Sequence, residues 1–171
     1  YRMTTGMGKS MQELLAASVE LNVVDGVILP NLKMQGAEEA CAYLDGEGRC
    51  SIHPYRPGIC RLFPLGRYYE NGGFSYFLQT GECAKENRSK IKVSKWIDTP
   101  DLTRNQQFTL QWHDLLHAME ERLTGEDEGK QREENLLLLR LFYLLPYEGT
   151  IDFYTQFTER MEHWNGQNGQ I

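Results

Sequence analysis

CAYLDGEGRCSIHPYRPGICRLFPLGRYYENGGFSYFLQTGEC, residues 41–83, holds all four cysteines of the 171-residue chain. Thiolates are soft ligands, and four of them in one short stretch can close around a single tetrahedral metal with bonds of about 2.3 Å. The cysteines are separated by eight, nine and twenty-two residues, so none belongs to a CxxC knuckle and the zinc-finger and ribbon patterns do not apply. Local structure strengthens the reading. Ala42 to Leu44 and Arg49 to Ile52 flank Asp45-Gly46-Glu47-Gly48, a polar, glycine-bearing segment that predicts a hairpin. With a four-residue loop, Cys50 faces Tyr43, and Cys41 lies diagonal to Cys50 on the same face. Diagonal neighbours have Cβ atoms about 7 Å apart, whereas a disulfide wants about 3.8 Å. Two ligands of one metal fit that geometry better than a disulfide does.

Pro54, Pro57 and Pro64 keep the following residues out of any long helix. Pro57 is suited to the first position of one short helical turn, which presents Cys60 on a rigid corner. Leu65 to Glu70 and Phe74 to Gln79 are aromatic-rich runs joined by Asn71-Gly72-Gly73, a hairpin signal that returns the chain toward Cys83. Arg49, Arg56, Arg61 and Arg67 share the stretch. Cationic neighbours favour thiolate over thiol; an ordinary solvated surface is the equal alternative for them.

These residues carry a resemblance. Cys41-x8-Cys50 with Leu44-Asp45-Gly46 inside it, Cys50-Ser51-Ile52-His53, Arg56-Pro57-Gly58-Ile59-Cys60-Arg61-Leu62-Phe63-Pro64 and the trailing Cys83 are similar to the YkgJ-type cysteine-cluster family. The resemblance implies a zinc- or iron-chelating domain, and flagellin lysine N-methylases carry a similar cluster. It is specific over residues 41–83, weaker over residues 1–34 and absent from the C-terminal third. Family members carry a further CxxCxxCC-like motif near the N-terminus, which this sequence lacks. The expectation is a single cysteine-cluster domain over residues 1–171 whose N-terminal segment is missing.

Composition bounds the answer. A chain of this length can bury a full core as one domain. A net charge of −6 argues against non-specific nucleic-acid binding. The longest apolar run, Leu136 to Leu145, is interrupted by Arg140 and falls short of the ~20 residues that span a bilayer, so no membrane partner is expected and a cytoplasmic location is. Four cysteines in a secreted protein would permit three disulfide connectivities. That is the less favoured alternative here, because the chain can form a core without staples.

Outside the cysteine stretch, Ser10-Met11-Gln12-Glu13 is a capping-box pattern, and Met11, Leu14, Leu15, Val19 and Leu21 predict a helix ending near Asp25-Gly26. Gly6-Met7-Gly8-Lys9-Ser10 has the tail of a phosphate loop, but Met3 stands where its first glycine belongs. Val27 to Met34 reads as an extended segment, with Pro30 marking an edge. Ile91 and Val93 alternate as in a short strand, and Ser94 caps a turn with Trp96-Ile97. After Pro100 the pattern turns helical. Phe108, Trp112, Leu115, Leu116, Met119 and Leu123 make one stripe; Gln131 to Leu145 is apolar nearly all round; Thr150 caps a last helix with Phe153, Phe157, Met161 and Trp164 on one face. The fold class is α+β: a small antiparallel sheet and Cys-rich loops in the middle of the chain, packed with a mainly helical C-terminal half.

His113 and His117 have the four-residue separation of a metal pair, yet no Glu accompanies them as in HExxH, and they read as surface histidines. His53, between Cys50 and Cys60, could stand in for a thiolate or hydrogen-bond a ligand, although a turn residue before Pro54 is the favoured reading. The sequence therefore points to a metal-binding protein in which Cys41, Cys50, Cys60 and Cys83 hold zinc, iron or an iron-sulfur cluster, and whose helices present a surface to a protein partner. The alternative is a protein-modifying enzyme similar to the flagellin lysine N-methylases, with the cluster as a structural or redox part. No glycine-rich nucleotide fingerprint, acidic pair or Ser/His/Asp arrangement supports a catalytic site.

Overall fold

The computed structural model describes residues 1–82 and 89–168. Two compact units emerge, Tyr1–Tyr55 with Leu115–Ile171, and Arg56–Asp114. In the first, helix α1 (Arg2–Met7) ends at Gly8, whose φ of 63° is left-handed and favours glycine. Ser10 then opens α2 (Met11–Ala17) with the expected capping box: its Oγ accepts from Glu13 N, and the Glu13 carboxylate accepts from Ser10 N at 2.7 Å. Those bonds hold the Glu13 carboxyl below the usual carboxylate range. Gly6 to Ser10 is thus the link between a helix end and a helix start, not a phosphate loop.

The expected helix through Leu21 stops at Ala17. Residues Val19–Val24 form strand β1, paired antiparallel with β2 (Val27–Leu32) from Val24–Val27 to Val19–Leu32. Asp25 and Gly26 both take left-handed φ, 51° and 80°. They make the two-residue turn that matches strand twist, and β-branched Val19, Val23 and Val24 prefer the pleated backbone. Asp-Gly was a hairpin signal and not a helix stop. A second, two-residue ladder joins β3 (Met34–Gln35) to β4 (Ala40–Cys41), so the extended segment does reach Cys41, through Met34.

The C-terminal helices complete this unit. Helix α5 (Leu102–Leu123) crosses the boundary between the units and buries Leu115, Met119 and Leu123. Helix α6 (Glu128–Leu139) begins before the expected Gln131, because Asp127 Oδ1 accepts from Gly129 N and Lys130 N. Its continuation, Arg140–Leu144, is a π-helix that the apolar pattern does not announce. Arg160 closes its end: the guanidinium donates to the carbonyls of Leu141, Leu145 and Pro146, at and just past the last turn. Helix α7 (Phe153–Asn168) is capped by Asp152, which accepts from Thr155 N at 2.9 Å, and not by Thr150. Met119 and Leu138 are fully buried, and Phe142 packs 5.9 Å from Phe157 and 6.1 Å from Trp164. Leu136, at the solvent face of α6, is 53% exposed, so this helix is buried on one side only.

The second unit holds α3 (Gly58–Leu62), the hairpin β5 (Leu65–Glu70) and β6 (Gly73–Leu78), α4 (Val93–Ile97) and the start of α5. Asn71 and Gly72, at φ 52° and 71°, close the predicted hairpin. The expected strand at Ile91 and Val93 is absent from the described residues, and Val93 opens α4 instead. Its helical turn buries Ile97, and a period-two reading of four residues was too short to separate the two possibilities. The described chain carries three two-stranded antiparallel sheets, all N-terminal to the long helices.

Asn135 joins hairpin to helix within the first unit. Its Oδ1 accepts from Ile28 N at 2.6 Å, and its Nδ2 donates to Gly26 O and to Gln131 O. Asn135→Ala leaves a backbone N–H and a carbonyl without partners, and should cost about 2–3 kcal/mol of unfolding free energy. Urea unfolding measures that loss, and faster amide exchange at Ile28 locates it.

Candidate metal centre

Cys41 and Cys50 lie in the first unit: Cys41 ends β4, and Cys50 stands on the loop between β4 and the short 3-10 turn His53–Tyr55. Asp45 sets the loop's shape. Its Oδ1 accepts from Glu47 N at 2.9 Å and from Arg49 N at 2.8 Å, while Asp45 N donates to Arg49 O. An aspartate bonding its own backbone in this way makes an Asx turn. The turn takes in Asp45 to Arg49, one residue more than the expected loop.

That extra residue moves the register. Cys50 bridges to Leu44 and not to Tyr43. Cys41 is no diagonal neighbour on the same ladder, since it pairs with Met34 and its carbonyl accepts from Leu44 N in a turn. The chain is nonetheless tightly tied here: Ser51 N and Oγ both donate to Tyr43 O, and the Tyr43 hydroxyl bonds the buried Ser18 hydroxyl. Cys50 is half-buried against the cluster of Met3, Leu14, Val19 and Ile52. A thiol seated on apolar residues has one side closed to water and one side available to a ligand.

Cys60 lies in the second unit, mid-way along α3, and is half-buried. Pro57 is the N-cap of that helix, one place before the expected N1 position. The helix is fixed by the residue after the cysteine. Arg61 is buried, and its Nη1 donates to Asp98 Oδ2 at 2.9 Å and to Asp98 O at 3.1 Å. Among the described residues, Cys41, Cys50 and Cys60 form no disulfide. Cys83 lies outside the described residues.

Three of the four arginines of the stretch have other partners. Arg49 pairs with Glu47 at 3.0 Å on the exposed loop, Arg61 pairs with Asp98, and Arg67 lies over the rings of Phe74 and Tyr76. His53 is exposed, with its backbone N–H on Cys50 O, the arrangement of a turn residue. His113 stacks on Tyr69 with centroids 3.7 Å apart, and His117 sits between Glu120 and Glu121. Among the described residues, no three His, Cys, Asp or Glu side chains are grouped to hold a metal ion. The buried Arg61 and the Asx turn at Asp45 escaped the sequence reading. An Asp two residues before a loop amide was a visible signal for the turn; nothing local marked Arg61, because its partner is Asp98, far along the chain.

Residues 6–83 match the family model CxxCxxCC, described as "Putative zinc- or iron-chelating domain". The matched stretch contains all four cysteines and ends on Cys83. No curated protein and no solved structure matches the chain. No helix among the described residues is long and apolar enough to cross a membrane.

Asp45→Ala removes the acceptor for two loop amides and should cost about 1–2 kcal/mol locally. The expected outcome is faster proteolytic cleavage between Gly46 and Gly48, with far-UV dichroism of the helices unchanged.

Proposed function

We propose, with the match of residues 6–83 to a zinc- or iron-chelating family as premise, that this chain binds a metal through Cys41, Cys50, Cys60 and Cys83. The observation that carries the reading is the coincidence of that match with all four cysteines of the chain, the last of them at its boundary. The donor chemistry supports it. Three of the four are described, each half-buried and outside any disulfide, which suits thiolate ligands. Zinc or iron fits such donors, and an iron-sulfur cluster is the finer possibility within the same set.

When bound, the metal would supply cross-links between short elements of the chain. The chain's own residues fix where the three described thiols stand. The Met34–Cys41 ladder places Cys41, the Asp45 turn and the apolar seat place Cys50, and the Arg61–Asp98 pair holds the helix of Cys60. Binding free energy in such a site is also folding free energy for the loops that carry it.

Protein purified without oxygen should contain metal in fixed proportion to chain, and its visible absorption separates an iron-sulfur cluster from colourless zinc. Cys60→Ser should lose that metal and become open to proteases between Gly46 and Gly81, while far-UV helical signal persists, because the apolar stripes of the helices pack without the ion. His117→Ala should keep the metal. Retention by Cys60→Ser with loss from His117→Ala, or no metal in the unaltered anaerobic protein, rejects the reading.

A further inference from the structure

The charge of the chain is unevenly placed. Residues 56–114 carry nine Lys and Arg against six Asp and Glu, net +3, while the remainder carries nine against eighteen, net −9; together these give the −6 of the whole. A basic segment in an acidic protein suggests a local anionic partner.

Within this basic unit, two short helices present an apolar surface. Ile59 and Phe63 stand four residues apart, with Phe63 N bonded to Ile59 O, and are 68% and 48% exposed. Lys92, the N-cap of α4, and Trp96 repeat that spacing, Trp96 N being bonded to Lys92 O. Trp96, 42% exposed, donates from Nε1 to Phe63 O at 3.1 Å, which fixes the indole beside the first pair. The same helices are anchored by buried Leu62 and Ile97 and by the Arg61–Asp98 ion pair. Three apolar side chains therefore stay in water on a rigid support, with Lys90, Lys92 and Lys95 exposed on the adjoining chain. Aromatic and aliphatic anchors rimmed by cations are the composition of a recognition surface.

We infer that the Ile59, Phe63 and Trp96 surface, with its flanking lysines, docks a short acidic segment of a partner protein whose apolar side chains alternate with Asp or Glu. Charge complementarity selects the acid. Shortness follows from the extent of the surface, three exposed apolar side chains and three exposed lysines on and beside two five-residue helices. A short segment needs only the local cations. Ile59 and Phe63 also offer apolar contact that a phosphate backbone cannot use.

The test uses the full chain with its metal and a fluorescein-labelled peptide of repeating Glu-Leu-Asp-Phe, read by anisotropy. Saturable binding that weakens with salt is expected. Ile59→Glu and Lys92→Glu should each weaken it about tenfold, and Leu136→Glu, at an exposed leucine of the other unit, should not. Both test residues are exposed, so dichroism and metal content should stay unchanged, which separates this result from failure of the metal reading. The inference is overturned if the peptide does not bind, if its lysine-for-acid counterpart binds as well, or if the two substitutions leave affinity unaltered. Preference for oligo-dT or for phosphatidylserine vesicles over the acidic peptide overturns it too.

Discussion

Asn135 is the residue on which the placement of the first two cysteines depends. It is buried on α6, and one amide group holds both sides of the β1–β2 turn, accepting from Ile28 N and donating to Gly26 O. In a two-residue hairpin alternate residues turn their backbone groups outward. Ile28 is one of these, and Asn135 occupies the edge that its amide would otherwise leave open. From there the chain of bonds is continuous. Strand β2 returns to Ser18 through Lys33 N, Lys33 O accepts from Ala42 N, and the Ser18 hydroxyl meets the Tyr43 hydroxyl. Cys41 and Cys50 sit on either side of Tyr43.

Buried charge in the same unit serves termination and anchorage. Arg160 closes the carbonyls at the end of the π-helix and lies 3.5 Å from the centroid of the Tyr147 ring. Arg122 pairs with the buried Glu134 and also lies over Trp164. An ion pair in such a place is weak evidence of stability, because desolvation offsets much of its attraction, but removing one partner leaves a charge unpaired in the core. These arginines fix how helices end and meet, and leave the general stabilisation to Met119, Leu138, Phe142 and Phe157.

The sheets that carry the cysteine stretch are small. A two-stranded hairpin is marginal in water by itself, and the ladder at Cys41 has two residue pairs. Each is supported by something outside the strands: Asn135 for β1–β2, the Asx turn and the apolar seat of Cys50 for the loop, and the Arg61–Asp98 pair for the helix before β5. A metal held by the thiols would act on short ladders and loops, so its presence or loss should change loops more than helices.

The sequence by itself determined what depends on neighbours in the chain. Ser10 with Glu13 makes a capping box, Asn71-Gly72 makes a turn, and the stripe through Leu115, Met119 and Leu123 makes a buried helix face, because each interaction closes within a few residues. The α+β class and the clustered thiols were legible for the same reason. Tertiary structure decided the rest. Val19 to Val24 suits helix or strand until β2 is there to pair with it. Arg140 to Leu144 becomes a π-helix where Arg160, on another helix, takes the carbonyl of Leu141 and those of Leu145 and Pro146 just beyond. Loop register at Cys50 turned on which backbone amides the Asp45 carboxylate accepts, a choice between neighbouring geometries that composition leaves open. Arg61 is buried because Asp98 meets it from across the fold, and no local pattern encodes a partner that the folded chain alone brings near.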